Sequence, residues 1–114
     1  MSLGEQIAAR RVKERRTIEI LEWGEDNAPL ILYTGAITAG DINKLQRKHK
    51  NFLNDMTVDG MVDLIIMKAE TKDGQKAFTP EDKPFLMRED VNIIANLSAK
   101  MFGGVVSVEE QEKN

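Results

Sequence analysis

The stretch Thr57–Lys72, TVDGMVDLIIMKAETK, constrains the fold more than any other part of the chain. Val58, Met61, Val62, Ile65, Ile66 and Ala69 fall at i, i+3, i+4, i+7, i+8 and i+11, the spacing that lines one face of an α-helix. Leu64 and Met67 widen that stripe beyond what a surface helix needs, so this helix is expected to be enclosed on most sides. Thr57 stands where an N-cap is wanted, with Asp59 near the positive end of the helix dipole. Ordering such a segment costs more than burying its apolar side chains returns. The helix cannot stand alone, and the rest of the chain is expected to pack around it.

At 114 residues the chain has room for one domain with a real core. It holds no cysteine, which excludes a disulfide framework, a thiolate zinc site and a cysteine nucleophile. A single histidine excludes His-rich metal sites. No apolar run approaches the roughly 18 residues that span a bilayer, and the first residues lack a signal-peptide pattern, so a soluble cytosolic protein is expected. Charge is uneven: residues 1–50 carry 9 Lys/Arg against 7 Asp/Glu, residues 51–114 carry 7 against 12. A basic end and an acidic end suit head-to-tail association.

Residues 4–15 favour a helix but offer only Ile7, Ala8 and Val12 for burial, so a solvated basic helix is expected over 1–16. TIEILEW (17–23) and LILYTG (30–35), rich in β-branched and aromatic residues, flank the polar loop GEDNAP (24–29) and predict a hairpin, with Trp23 and Tyr33 sealing one face over the helices. Thr38 and Asp41 form a near capping box for a helix to about Asn54, with Ile42, Leu45, His49, Phe52 and Leu53 on one face. His49 is read as a packed or edge residue without catalytic or ligating partners. Asp73-Gly74 predicts a turn and QKAF a short extended segment. Thr79-Pro80 opens one helical or 3₁₀ turn over 80–87 that turns Phe85, Leu86 and Met87 inward. The last helix, 89–102, carries Val91, Ile94, Ala95, Ser98, Met101 and Phe102 on its stripe and ends at Gly103-Gly104. The acidic tail 104–114 has no periodicity and is expected to be disordered. The fold class is therefore mainly α with a small N-terminal β-hairpin (α+β), in one globular domain over 17–103.

Catalytic patterns are missing. No glycine pattern of the nucleotide-binding kind follows a strand, and the acid pairs Glu25/Asp26, Glu81/Asp82 and Glu89/Asp90 each have a turn or capping explanation. Ser2, Ser98 and Ser107 lack a nucleophile-elbow setting. With one histidine and no cysteine, nucleophile–base–orienter sets cannot be assembled. A non-enzymatic role without cofactor or metal is expected.

Trp23-Gly24-Glu25, Ala39-Gly40-Asp41-Ile42, Asp73-Gly74, Phe78-Thr79, Asp82-Lys83-Pro84 and Leu86-Met87 follow one another in this order, ahead of the helix from Val91 to Phe102. Over residues 17–103 this arrangement resembles the tail assembly chaperones of long-tailed, siphovirus-like bacteriophages. The basic N-terminal helix and the short acidic tail depart from that pattern. The resemblance implies a mostly helical protein of the host bacterial cytoplasm, absent from the mature virion. It implies binding to the helical tape measure protein, recruitment of tail tube subunits, and self-association into a homo-oligomer, as an open spiral. It implies, too, that the chain is the short form of a protein often made in two lengths by frameshifting.

Candidate partner-binding residues are the basic Arg10, Arg11, Arg15, Lys44 and Lys48. Met87, Met101 and Phe102, near helix ends, are expected to be partly exposed and to join them. The alternative reading is a small nucleic-acid-binding regulator using the basic patches Arg10–Arg16 and Lys44–Lys50. Net charge of −3 and the lack of aromatic residues among those cations weigh against it. A structural protein that stays in the virion is the third class.

Overall fold

The computed structural model describes residues 1–11 and 15–103. Val12 and the acidic tail 104–114, on which two expectations rest, lie outside the described residues. Helix α1 (Leu3–Arg11) precedes a hairpin of β1 (Arg16–Glu25) and β2 (Ala28–Thr34). Then come α2 (Ala39–Lys48), α3 (Val58–Lys68), a 3₁₀ turn (Pro80–Asp82), α4 (Lys83–Leu86) and α5 (Val91–Phe102). This is an α+β architecture with helices gathered on one antiparallel hairpin.

Helix α3 is the element the others enclose. Thr57 Oγ1 accepts from the Gly60 N–H at 3.0 Å and caps its start, and Val62, Leu64 and Ile65 are fully buried. Val62, Ile65 and Ala69 pack with Ile18, Ile20 and Leu32 of the hairpin and with Ile94, Leu97 and Met101 of α5. Leu64 faces the other way, into a second cluster with Leu45 and Phe52. A helix with apolar residues beyond one stripe thus serves two cores at once. Its first stripe residue, Val58, is exposed. It ends at Lys68, four residues short of the expected Lys72, because Ala69 is extended (φ −68°, ψ 133°). There Glu70 exchanges backbone hydrogen bonds with Tyr33 (2.9 and 2.7 Å) and bridges Lys76. The sheet edge captures the chain and stops the helix. Gly74, at φ +85°, makes the expected turn between these bridges.

The hairpin differs from the expected six-residue loop. Both strands run on until Asp26 and Asn27, at φ +53° and +65°, make a two-residue turn of the twist-matched kind. Ile20 pairs with Leu30 and Glu25 with Ala28, so Leu21 through Gly24 are set against Pro29 alone. Proline has no N–H to give to the ladder, and β1 bulges there. A Cβ on Gly24 would lie 1.8 Å from the Ala28 carbonyl oxygen, so only glycine fits this approach. The bulge sends Trp23 to the core side, edge-on to Phe78 at 6.1 Å, while its Nε1–H donates to Glu89 Oε2 at 2.9 Å. Tyr33 pairs with Thr17, out of phase with the buried Leu32 and Thr34. The two aromatic residues therefore do not seal a common face.

Helix α2 has the expected capping box, with Thr38 and Asp41 exchanging bonds of 2.9 and 3.1 Å. It ends at Lys48 rather than Asn54, since His49 is extended and Asn51 is left-handed at φ +58°. Phe52 is fully buried from that turn, and Leu53 is 55% exposed instead of lining the stripe. After the 3₁₀ turn only Leu86 faces inward; Phe85 (67% exposed) and Met87 (45%) face out, because so short a helix has a single inner position. In α5, Val91 is exposed and Leu97 takes a core position with Ile94, Ser98 and Met101. Helix α1 buries no residue, as its sparse apolar content leads one to expect.

Candidate functional site

Residues of α2, α3 and the Lys76–Lys83 segment line a groove of about 660 Å³. Leu45, Ile66, Met67, Phe78 and Pro80 make its walls, and Lys44, Lys48, Lys76 and Lys83 stand around it. Leu45, Ile66, Met67 and Phe78 also belong to, or pack against, the two core clusters. The Lys76 ammonium donates to the Met67 carbonyl, which ties the 76–80 segment across the end of α3.

One side of the groove is a charge cluster. His49 Nε2 lies 2.6 Å from Asp63 Oδ2, and its Nδ1 lies 3.7 Å from Asp59 Oδ2. Lys83 Nζ contacts Asp59 at 2.6 Å and Asp63 at 3.0 Å, and Lys48 reaches Asp63 at 3.2 Å. Asp59 and Asp63 are one helical turn apart on α3, so they share a face. Burial pushes the Asp63 carboxyl up, but hydrogen bonds from His49, Lys83 and Lys48 prevail and hold it below the usual carboxylate range. Burial pushes Lys83 down, and the Asp59 and Asp63 carboxylates more than reverse this, keeping its ammonium protonated above the ordinary lysine value. The expectation that His49 lacks partners is therefore corrected: chain reversal at Asn51 brings α3 back alongside it.

His49, Asp59 and Asp63 offer ligand atoms within 4.8 Å of one another. Two ammonium groups already neutralise those carboxylates, so a divalent ion would have to displace Lys83 and Lys48. The donor set does not fit a metal. Lys83, held protonated, offers a donor rather than a base, and Thr79 is the one hydroxyl that lines the groove. The arrangement offers apolar walls and fixed positive charge, which is equipment for binding.

The other expected site residues lie away from this groove, and of them Arg11 and Phe102 line a second pocket together. Arg15 is spent inside the molecule: it pairs with Glu70 at 3.2 Å, donates to the carbonyls of Thr71 (2.8 Å) and Lys72 (3.1 Å), and lies 4.7 Å over the Tyr33 ring. Arg16 donates to the Met101 carbonyl at 2.8 Å and so caps α5. Arg10 and Arg11 are exposed on α1. Met101 is fully buried, contrary to the expectation of partial exposure, since α5 packs its last turn on α3. Phe102 is half-buried and stacked on Phe52 at 6.4 Å, and Met87 is exposed, as expected. Of the eight candidates, only Lys44 and Lys48 meet in the groove.

Compared with protein-family models, curated proteins and solved structures, the chain finds no match in any of the three. What the groove binds is therefore argued from its own chemistry. His49, Asp59, Asp63, Lys76 and Lys83 were not expected in a site. The i, i+4 acids of α3 were the readable signal; Lys76 and Lys83 carried none, because their placement depends on the turn at Gly74 and on the 3₁₀ turn.

Proposed function

We propose that this chain is a non-enzymatic tail assembly chaperone of a bacteriophage, working in the host cytoplasm and absent from the finished particle. The groove between α2, α3 and the 76–83 segment carries the reading. It is large enough for a row of side chains, mostly apolar, and bordered by lysines. A helical segment that lays an apolar face in such a groove and an acidic flank along its edge is held by burial and screened ion pairs together. That combination suits a reversible hold on a long, helical, aggregation-prone partner such as a tape measure protein. Recruitment of tail tube subunits and self-association belong to the same proposal.

The nucleic-acid alternative has less support. Arg15 and Arg16 serve carbonyls of their own chain, and Lys48 and Lys83 serve Asp63. Three of the nine cations in the two basic patches, Arg15, Arg16 and Lys48, are thus engaged by the chain's own groups, which weakens a phosphate track.

The experiment is size-exclusion chromatography with light scattering on the chain mixed with helical segments of the long protein encoded nearby. The proposal expects a complex that survives moderate salt. A failure of every segment to bind, with salt-dependent binding of a duplex oligonucleotide instead, would replace it with the alternative.

A further inference from the structure

The sheet has two strands, and β2 already meets the chain on its far side. Tyr33 exchanges backbone bonds there with Glu70, so its N–H and C=O point away from β1. Opposed residues of an antiparallel pair alternate between hydrogen-bonded and non-hydrogen-bonded pairs. Thr17, opposite Tyr33, therefore turns its own N–H and C=O away from β2, and so does Glu19, opposite Ile31. Among the described residues no strand meets these four groups. The outer edge of β1 is free.

Helix α5 stands beside this strand. Ile18 and Ile20 of β1 and Ile93 and Leu97 of α5 line a shared pocket of about 80 Å³, enough for one branched side chain of valine size. Glu19 and Glu22 border it and are exposed. Ile18 and Ile20 are buried on the core side, so Thr17 and Glu19 stand on the opposite face of the strand. A further strand laid along the edge would send alternate side chains to these two sides. Apolar residues then point toward the pocket, and a cation on the other face pairs across with Glu19.

We propose that the outer edge of β1, with α5 beside it, is a strand-addition site for an extended, basic segment of a partner protein in which small branched apolar residues alternate with lysine or arginine. Main-chain bonds to Thr17 and Glu19 hold it, and the pocket and the glutamates select its side chains. The site shares no lining residue with the lysine groove, whose ammonium groups repel such a segment. A second copy's β1 is the poorer occupant, because it would bring its own Glu19 and Glu22 to the same edge.

The probe is an end-blocked peptide of alternating valine and lysine, added to the full, isotope-labelled chain and followed by NMR. Exchange of the Thr17 and Glu19 amides is expected to slow at least ~10-fold in the complex, while resonances of the lysine groove stay in place. Peptide residues opposite Thr17 and Glu19 give their N–H groups to β1, and these are the lysines, which share that face. N-methylation of the lysine amides should therefore weaken binding at least ~10-fold, and N-methylation of the valine amides, which point away from β1, less than ~3-fold. Glu19→Gln/Glu22→Gln should weaken it at least ~3-fold at low salt and little at high salt. Absence of binding overturns the proposal, as do equal losses from the two methylated peptides or shifts confined to the lysine groove. Protection of Thr17 and Glu19 that grows with protein concentration without peptide also overturns it, because a second copy then holds the edge.

Discussion

His49 Nε2 sits 2.6 Å from Asp63 Oδ2, across the turn that ends α2 and the start of α3. That bond fixes the angle between the two helices that wall the groove. Asp63 also takes Lys48 and Lys83, one from α2 and one from α4. One carboxylate therefore holds three elements around the groove.

Replacing that carboxylate by an amide should loosen all three. Asp63→Asn is expected to cost about 1–3 kcal/mol, the usual loss for charged hydrogen bonds that are partly buried. Urea denaturation checks it, as a lower midpoint at unchanged slope.

The same carboxylate sets the response to acid. Asp63 and Asp41 both titrate below their ordinary value in the folded chain. For Asp41, burial raises the carboxyl, and the Thr38 N–H and Lys68 outweigh it. Such groups add stability above the unfolded pKa of about 3.9 and lose it as pH falls through their lower folded values. Lys83 titrates above the ordinary lysine value, so its contribution is full below about pH 10.4 and fades as pH rises further. The urea midpoint should therefore hold level through neutral pH and fall on both sides. Asp63→Asn should flatten both limbs, and an unchanged acid limb would contradict the assignment.

Close backbone approaches give a packing prediction. A Cβ on Gly60 would meet the Phe52 ring at 2.7 Å, in the second core cluster. Gly60→Ala should cost about 1–3 kcal/mol by overpacking, and Phe52→Ala about 3–5 kcal/mol by leaving a cavity. The double variant should be less unstable than the sum, because alanine at position 60 fills part of the space that the ring vacates. Thermal unfolding of the three variants checks this.

The basic N-terminal stretch should divide into two behaviours. Arg15→Ala removes an ion pair, two carbonyl contacts and a ring contact, and should cost about 1 kcal/mol after allowance for its partial exposure. Arg10→Ala, on a helix with no buried residue, should change stability by less than about 0.5 kcal/mol. Midpoint shifts in guanidinium chloride separate the two.

Much of the fold was legible because local rules and burial agree along α3, the Thr38–Asp41 box and the hairpin strands. The misreadings share a cause. Helix ends at Lys48 and Lys68 were set by tertiary contacts, the left-handed Asn51 and the Glu70–Tyr33 pairing, which no periodicity contains. The bulge opposite Pro29 moved Trp23 from one face to the other, and strand alternation does not register bulges. The site was less legible still. Lys44 and Lys48 carried a charge signal, but His49 acquired its partners only when the turn after it reversed the chain. A composition-based reading of arginines, in turn, cannot tell a solvated Arg10 from an Arg15 committed to Glu70.

The central claim is that the lysine-bordered groove holds an apolar, acidic helical partner. Lys44→Glu/Lys76→Glu reverses two exposed charges at the groove, giving up the Lys76 bond to the Met67 carbonyl, and leaves Asp63 with His49, Lys48 and Lys83. The direct measurement is co-expression of this variant and of the unaltered chain with the long helical protein encoded nearby, scoring how much of that protein stays soluble. The account predicts a soluble complex holding many copies of the unaltered chain, and loss of most of the partner to the pellet with the double variant, itself folded by circular dichroism. Equal rescue by both chains, or rescue by neither, would contradict it.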